Sequence, residues 1–252
     1  MLTLMILAAT SVPYAPASKW TVASHEAGCT LSRSFSQNDS VADLSLTLDA
    51  SGAAKFDIAL EPSHAGLKSG EGHVALLPGG PTLDTRYFGS GSFTVAGRLS
   101  FVMRLDATDM AKFSGAAGGA VNAMRIDAMG RNIVLSTGST RAAFATLNTC
   151  RALLLKSWGL DPAAVLPPPR VERDWFKGDA RFGPADSALI PNELFAVLSV
   201  SSDGRPVKCR FVAASRNPKS DVAACAALVA HAHFEPAADA RERSSVVKLA
   251  GL

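Results

Sequence analysis

Four cysteines, Cys29, Cys150, Cys209 and Cys225, are the side chains of this sequence with the clearest covalent chemistry open to them. In a reducing compartment such residues pack as small hydrophobes, and in an oxidising one they pair. The stretch CRFVAASRNPKSDVAACAALVAHAHFEPA sets two of them face to face. Val207, Cys209, Phe211 and Ala213 alternate with Lys208, Arg210 and Val212, which predicts a strand with Cys209 on its apolar side. After the turn-forming SRNPKSD, Ser220 fits a helix N-cap. Val222, Cys225 and Val229 then fall on one helical stripe, with Ala226 and Ala232 beside it. Both sulfurs are expected in the layer where helix meets sheet. Free thiols and a disulfide both satisfy that geometry, so the compartment decides.

The start of the chain bears on the compartment. MLTLMILAATSVPYAPASKW opens with an uncharged run from Met1 to Val12, followed by prolines and by Ala15-Pro16-Ala17. Small residues in that small-x-small pattern resemble a signal-peptidase site, giving cleavage near Ala17 and a mature start near Ser18. The run is shorter than the roughly 20 residues of a membrane span, and no Lys or Arg precedes it. A retained interfacial segment, or an inner-membrane anchor whose start lies upstream, is the alternative to export into the periplasm. With export, four cysteines in two pairs give Cys209–Cys225 and Cys29–Cys150.

Other chemistry is sparse. There is no Gly-x-Ser-x-Gly elbow, Cys-x-x-Cys, His-Glu-x-x-His or phosphate-binding loop, and no catalytic, cofactor-binding or metal residue is predicted. LDTRYFGSGSF has Arg86 where an aspartic-protease loop needs glycine, and the GSG at Gly89–Gly91 opens no clear helix. His231 and His233, two apart on a helix, point to different sides. Net charge is +3 over 252 residues, with the basic residues scattered, so nucleic-acid binding has no basis. Past the N-terminal run no apolar stretch reaches membrane-spanning length, and no stable membrane span is expected.

The elements that must position the cysteines follow from periodicity. Leu44, Leu46 and Leu48, a turn at Asp49–Gly52, then Phe56, Ile58 and Leu60 predict a hairpin. Further strands are expected at His73–Leu77, Ser92–Ala96, Leu99–Leu105, Asn122–Asp127 and Asn132–Leu135, with a turn at Met129-Gly130. From Thr140 to Trp158 the period becomes helical through Phe144, Leu147, Cys150, Leu154 and Trp158, and Gly159 ends it. DPAAVLPPPRVERDW reads as an extended proline-rich linker reaching about 30 Å. The expected fold class is α+β: a β-rich domain over 18–161 closed by its C-terminal helix, a linker over 162–180, and a small domain over 181–252.

From about Phe182 to Leu252 the chain resembles the TonB C-terminal domain, the periplasmic tip of energy transducers. FGPADSAL stands where the family has Tyr-Pro-x-x-Ala, and ELFAVLSVSSDGRPVKCRFVAAS is its strand–Asp-Gly–strand hairpin. SDVAACAAL matches the helix, HFEPA the Arg-Phe-x-Pro-Ala signature, and SSVVKLAGL the last strand. The pair Cys209 and Cys225 is similar to a family variant with one cysteine on the second strand and one in the helix. Phe182-Gly183 departs from Tyr-Pro, and the family's long Pro/Lys-rich spacer is missing from this sequence.

The resemblance implies an antiparallel sheet with a packed helix and a sheet edge, at Val246, Val247, Lys248 and Leu249, that accepts a partner strand. Lys248 would be either an edge guard or a binding residue. The expected function is a periplasmic binding module, linked to transport, for an outer-membrane receptor or a second copy of the chain. The alternatives are a structural or stress-related envelope protein, and an enzyme with its site in the β-rich domain.

Overall fold

Apolar and polar side chains alternate in several stretches between Cys29 and Leu135, and strands form where they do. The computed structural model describes residues 12–60, 69–89, 99–169, 194–213, 218–236 and 243–249. It begins with β1 (Ala15–Pro16), β2 (Thr21–Ser24), β3 (Gly28–Gln37), β4 (Ser40–Asp49) and β5 (Ala54–Leu60). β6 (Gly70–Leu77), β7 (Thr82–Gly89) and β8 (Leu99–Leu105) lead into helix α1 (Ala107–Ala117). β9 (Ala123–Ala128), β10 (Arg131–Leu135) and α2 (Arg141–Ser157) follow. After a 3₁₀ turn at Pro162–Ala164 come β11 (Val165–Leu166), β12 (Leu194–Val200), β13 (Pro206–Ala213), α3 (Pro218–His231) and β14 (Arg243–Leu249). The chain divides into two compact units, one of residues up to Ala23, Thr30–Thr47 and Ala54–Leu147, the other of Ser24–Cys29, Leu48–Ala53 and Asn148–Leu252.

In the first unit the strand order is β1-β3-β4-β5-β8-β7-β6-β9-β10, with β2 also paired to β3. Registers such as Phe56 opposite Met103 and Val74 opposite both Leu83 and Ile126 point one face of these strands inward. The last strand then returns to the first. Tyr14 bridges Leu135, its N–H donating to the Val134 carbonyl at 2.7 Å and its carbonyl accepting from Ser136 N–H at 2.9 Å. The result is a nearly closed, barrel-like sheet of nine strands. Its buried side chains include Leu31, Phe35, Leu44, Phe56, Ile58, Phe101 and Met103. Asp106 caps α1 by accepting from Asp109 N–H at 2.8 Å. The helix places Phe113 against Phe56 and Phe144, at 5.5 and 5.9 Å between ring centres.

These observations correct the expected α+β class. Among the described residues strand makes up 49% and helix 23%, so they form mostly antiparallel sheet, without the helix-closed sheet expected for the N-terminal domain. A sheet that closes on itself loses its edges and buries its apolar face without a covering helical layer. β1 and β7, which complete the circle, were not expected; nor were β2 and α1. Of the expected elements, the β4–β5 hairpin, β6, β8, β9, β10 and α2 form near the predicted bounds. Met129 and Gly130 make their turn with φ of 56° and 69°. Ser92–Ala96 and FGPADSAL lie outside the described residues.

In the second unit the sheet order is β11-β14-β12-β13. β12, LFAVLSV, is apolar on both faces because both are covered. Leu194, Ala196, Leu198 and Val200 pack with Ala224, Leu228 and Ala232 at α3. Phe195 and Val197 pack on the other side with Leu155, Leu160, Val246 and Ala50. Three details differ from the sequence reading. The α3 stripe of Val222 and Val229 is turned outward, 71% and 37% exposed, and the helix buries Ala224, Leu228 and Ala232 instead. Alanines let the helix lie close to the sheet, while Cys225 sits half-buried on its flank. The helix also begins at Pro218, two residues before the expected cap Ser220, proline being well suited to a first turn. Within the stretch read as a linker, Asp161 caps the 3₁₀ turn and β11 joins the C-terminal sheet.

Candidate functional site

The four residues predicted to form a binding edge lie on β14, which pairs antiparallel with β12 from Leu194 opposite Leu249 to Val200 opposite Arg243. Their side chains alternate between the two covered faces. Val247 and Leu249 belong to the α3 side, and Val246 to the α2 side with Trp158 and Phe195. Lys248 follows Val246 on that side. Its Nζ lies 3.3 Å from Asp49 Oδ2 and 5.8 Å from the centre of the Phe195 ring, with the side chain only 25% exposed.

Asp49 is where the hairpin turn meets this face. Its carboxylate is buried, accepts from Ser51 Oγ at 2.5 Å, and sits beside the main-chain carbonyls that Arg151 binds. Arg151 donates from Nη2 to the Ala50 carbonyl at 2.9 Å and from Nε to the Asp49 carbonyl at 3.3 Å. Burial pushes the Arg151 guanidinium below its ordinary value, and the Asp49 carboxylate partly offsets that. A buried acid is thereby matched by two cations, from α2 and β14. The sequence reading missed this cluster: Asp49 and Lys248 are 199 residues apart.

The outer side of β14 is covered for two residues. β11 runs parallel to it, with Val165 opposite Ser244 and Leu166 opposite Ser245. Val165 anchors on the α2 side of the sheet and Leu166 on the α3 side, and Ser245 Oγ donates to the Pro167 carbonyl at 3.4 Å. Pro167, Pro168 and Pro169 follow, with no N–H to continue a ladder. From Val246 to Leu249 the outer backbone of β14 has no partner strand among the described residues. The opposite edge, β13, carries Pro206, an exposed Lys208 and two register shifts, devices that discourage pairing.

Both cysteine pairs are bonded. Cys209–Cys225 ties β13 to α3 across 5.5 Å between Cα atoms, and Cys29–Cys150 ties β3 to α2 across 6.2 Å. Cys29 and Cys150 both fall in the second unit, which this bridge fastens. Two disulfides fit an exported protein in an oxidising compartment. Among the described residues no helix is long and apolar enough to cross a membrane.

On the outer face of the barrel His73 Nδ1 meets Asp84 Oδ1 at 2.8 Å, both side chains being well exposed, a solvated pair of small energetic weight. His231 ends α3 and His233 lies just beyond it, both exposed. Comparison of the chain with protein-family models, with curated proteins and with solved structures gives no match.

Proposed function

We propose that the protein is a periplasmic binding module of the cell envelope, linked to transport, that takes up an extended segment of a partner along the outer edge of β14. The observation that carries this reading is the length of β11: its two residues pair with Ser244 and Ser245, and beyond Ser245 no second strand is paired to that side of β14 among the described residues. A partner strand displacing β11 gains ladder hydrogen bonds of about 1 kcal/mol net each over a longer stretch than it uncovers. The side chains of β14 are already committed to the two covered faces, so main-chain pairing supplies the affinity. The resemblance of the last 70 or so residues to the TonB C-terminal domain supports the same mode, with an outer-membrane receptor or a second copy of the chain as partner.

The test lengthens and loosens β11 without touching β14. Pro167→Val with Pro168→Thr restores two N–H donors, extends β11 along Val246 and Val247, and is expected to reduce capture of outer-membrane proteins from detergent extract several-fold. Leu166→Ser removes an anchor of β11 and is expected to raise capture. Sedimentation of the same variants reads self-association. Capture and self-association unchanged in both variants would overturn the reading.

A further inference from the structure

The Ala15-Pro16-Ala17 pattern that marks a signal-peptidase site in the sequence lies, exposed, in the strand that closes the barrel wall. Tyr14 holds β10 through both of its main-chain groups, and Ala15 and Pro16 stand opposite Ser36 and Phe35 of β3. Ala17 N–H donates to the Ser34 carbonyl at 2.9 Å, and Ser34 N–H donates to Ser18 Oγ at 2.9 Å. Arg33 fastens the same place from the other side. Its Nε donates to the Ser18 carbonyl at 2.9 Å and its Nη1 to the Thr137 carbonyl at 2.7 Å, with the guanidinium over the rings of Trp20 and Phe35. Further upstream, Gln37 Nε2 donates to the Val12 carbonyl. The segment 12–20 is therefore the seam of the barrel, bonded on one side to β3 and on the other to the end of β10. Cleavage after Ala17 would remove the strand that joins them, and would leave Arg33 fastened to a free chain end.

A second small-x-small pattern stands where cleavage spares the seam. Ala9 and Ser11 occupy the third and first positions before the Ser11–Val12 bond, an apolar run precedes them, and Pro13 is second after it. We propose that the processing site is the Ser11–Val12 peptide bond, so that the mature protein begins Val12-Pro13-Tyr14 and keeps its seam. Hydrolysis breaks the bond between the Ser11 carbonyl carbon and the Val12 nitrogen. Water supplies a hydroxyl to the new Ser11 carboxylate and a proton to the new Val12 amine. The peptidase selects the small side chains of Ala9 and Ser11.

This inference rests on the export reading, and its test separates the two. The full chain is expressed in a bacterium with an outer membrane, and the periplasmic protein is measured intact by mass spectrometry. A mass beginning at Val12 is expected, and one beginning at Ser18 would overturn the assignment. A chain retained in the cytosol with Met1 and four free thiols would instead overturn export itself, and the cleavage with it. Two variants check the specificity. Ala9→Asp is expected to accumulate the uncleaved precursor, whereas Ala17→Asp, an exposed position, is processed like the parent. The reverse pattern would place the cut inside the barrel strand and refute the proposal.

Discussion

Two glycines of the second unit differ in one respect that a substitution can isolate. Gly204, in the β12–β13 turn, and Gly159, after α2, have φ of +83° and +76°. A Cβ on Gly159 meets nothing within 4 Å, whereas one on Gly204 would lie 2.1 Å from the Phe234 carbonyl oxygen. Gly159→Ala should therefore cost the left-handed backbone penalty alone, about 1 kcal/mol. Gly204→Ala adds a collision with main chain, which must retreat by about 1.3 Å to reach ordinary contact. That retreat strains the 3.0 Å bond from Phe234 N–H to the Gly204 carbonyl, worth about 1 kcal/mol. It also lifts Phe234, half-buried against the α3 core, for a further 1 kcal/mol or roughly so. The expected total is about 3 kcal/mol, some 2 kcal/mol beyond Gly159→Ala. Both variants relieve the same unfolded-chain entropy, so that effect cancels in the comparison. Urea titration of the two proteins beside the parent gives the difference from the midpoints at unchanged slope. Equal losses would refute the claim that the turn needs glycine for close approach.

Replacing Cys209 and Cys225 together by serine should cost about 3 kcal/mol, and Cys29 with Cys150 about 4–5 kcal/mol, following loop length in the chain-entropy model; denaturant midpoints that reverse this order would count against it. Lys248→Met should cost about 2 kcal/mol by leaving the buried Asp49 with one cation fewer. Combined with Asp49→Asn, it should show a coupling of at least about 1 kcal/mol, and a cycle that sums to zero would mean the pair is incidental. On α3, Val222→Ser should stay within about 0.5 kcal/mol of the parent while Leu228→Ala loses about 2–5 kcal/mol. Similar losses at both would restore the stripe first read from the sequence.

What the sequence disclosed depended on how long each local pattern ran. Seven or more residues of alternation made β4, β5 and β8 readable, and the change of period at Thr140 made α2 readable. β1 is two residues long and contains Pro16, so no alternation exists to detect; its pairing comes from the distant ends of β3 and β10. β7 was passed over because TLDTRYFG was weighed as a catalytic loop, although Leu83 and Tyr87 carry the inward face. α3 shows a different ambiguity. A helix of alanines and valines has more than one apolar stripe, and the sheet chose the one that packs closest. The Cys209–Cys225 pair was legible because each sits on an element read from local pattern, although Cys225 reaches its partner from the flank of α3 and not from a buried stripe. The partner of Lys248 was not, since an ion pair spanning most of the chain leaves no local trace. The edge at Val246–Leu249 came from resemblance, and its cover by β11 was visible only once the proline-rich stretch had a position.

The Cys29–Cys150 bond makes a covalent ring whose anchors are 121 positions apart in sequence. Tension applied between points outside the ring, such as Trp20 and the C-terminal sheet, passes through the sulfurs and bypasses everything from β4 to β10. At roughly 3.4 Å per extended residue, about 400 Å of chain is withheld from stretching as long as the bond is oxidised. The same ring keeps a nicked molecule whole. One backbone cut anywhere between the two cysteines leaves both pieces attached, and only a reductant releases them.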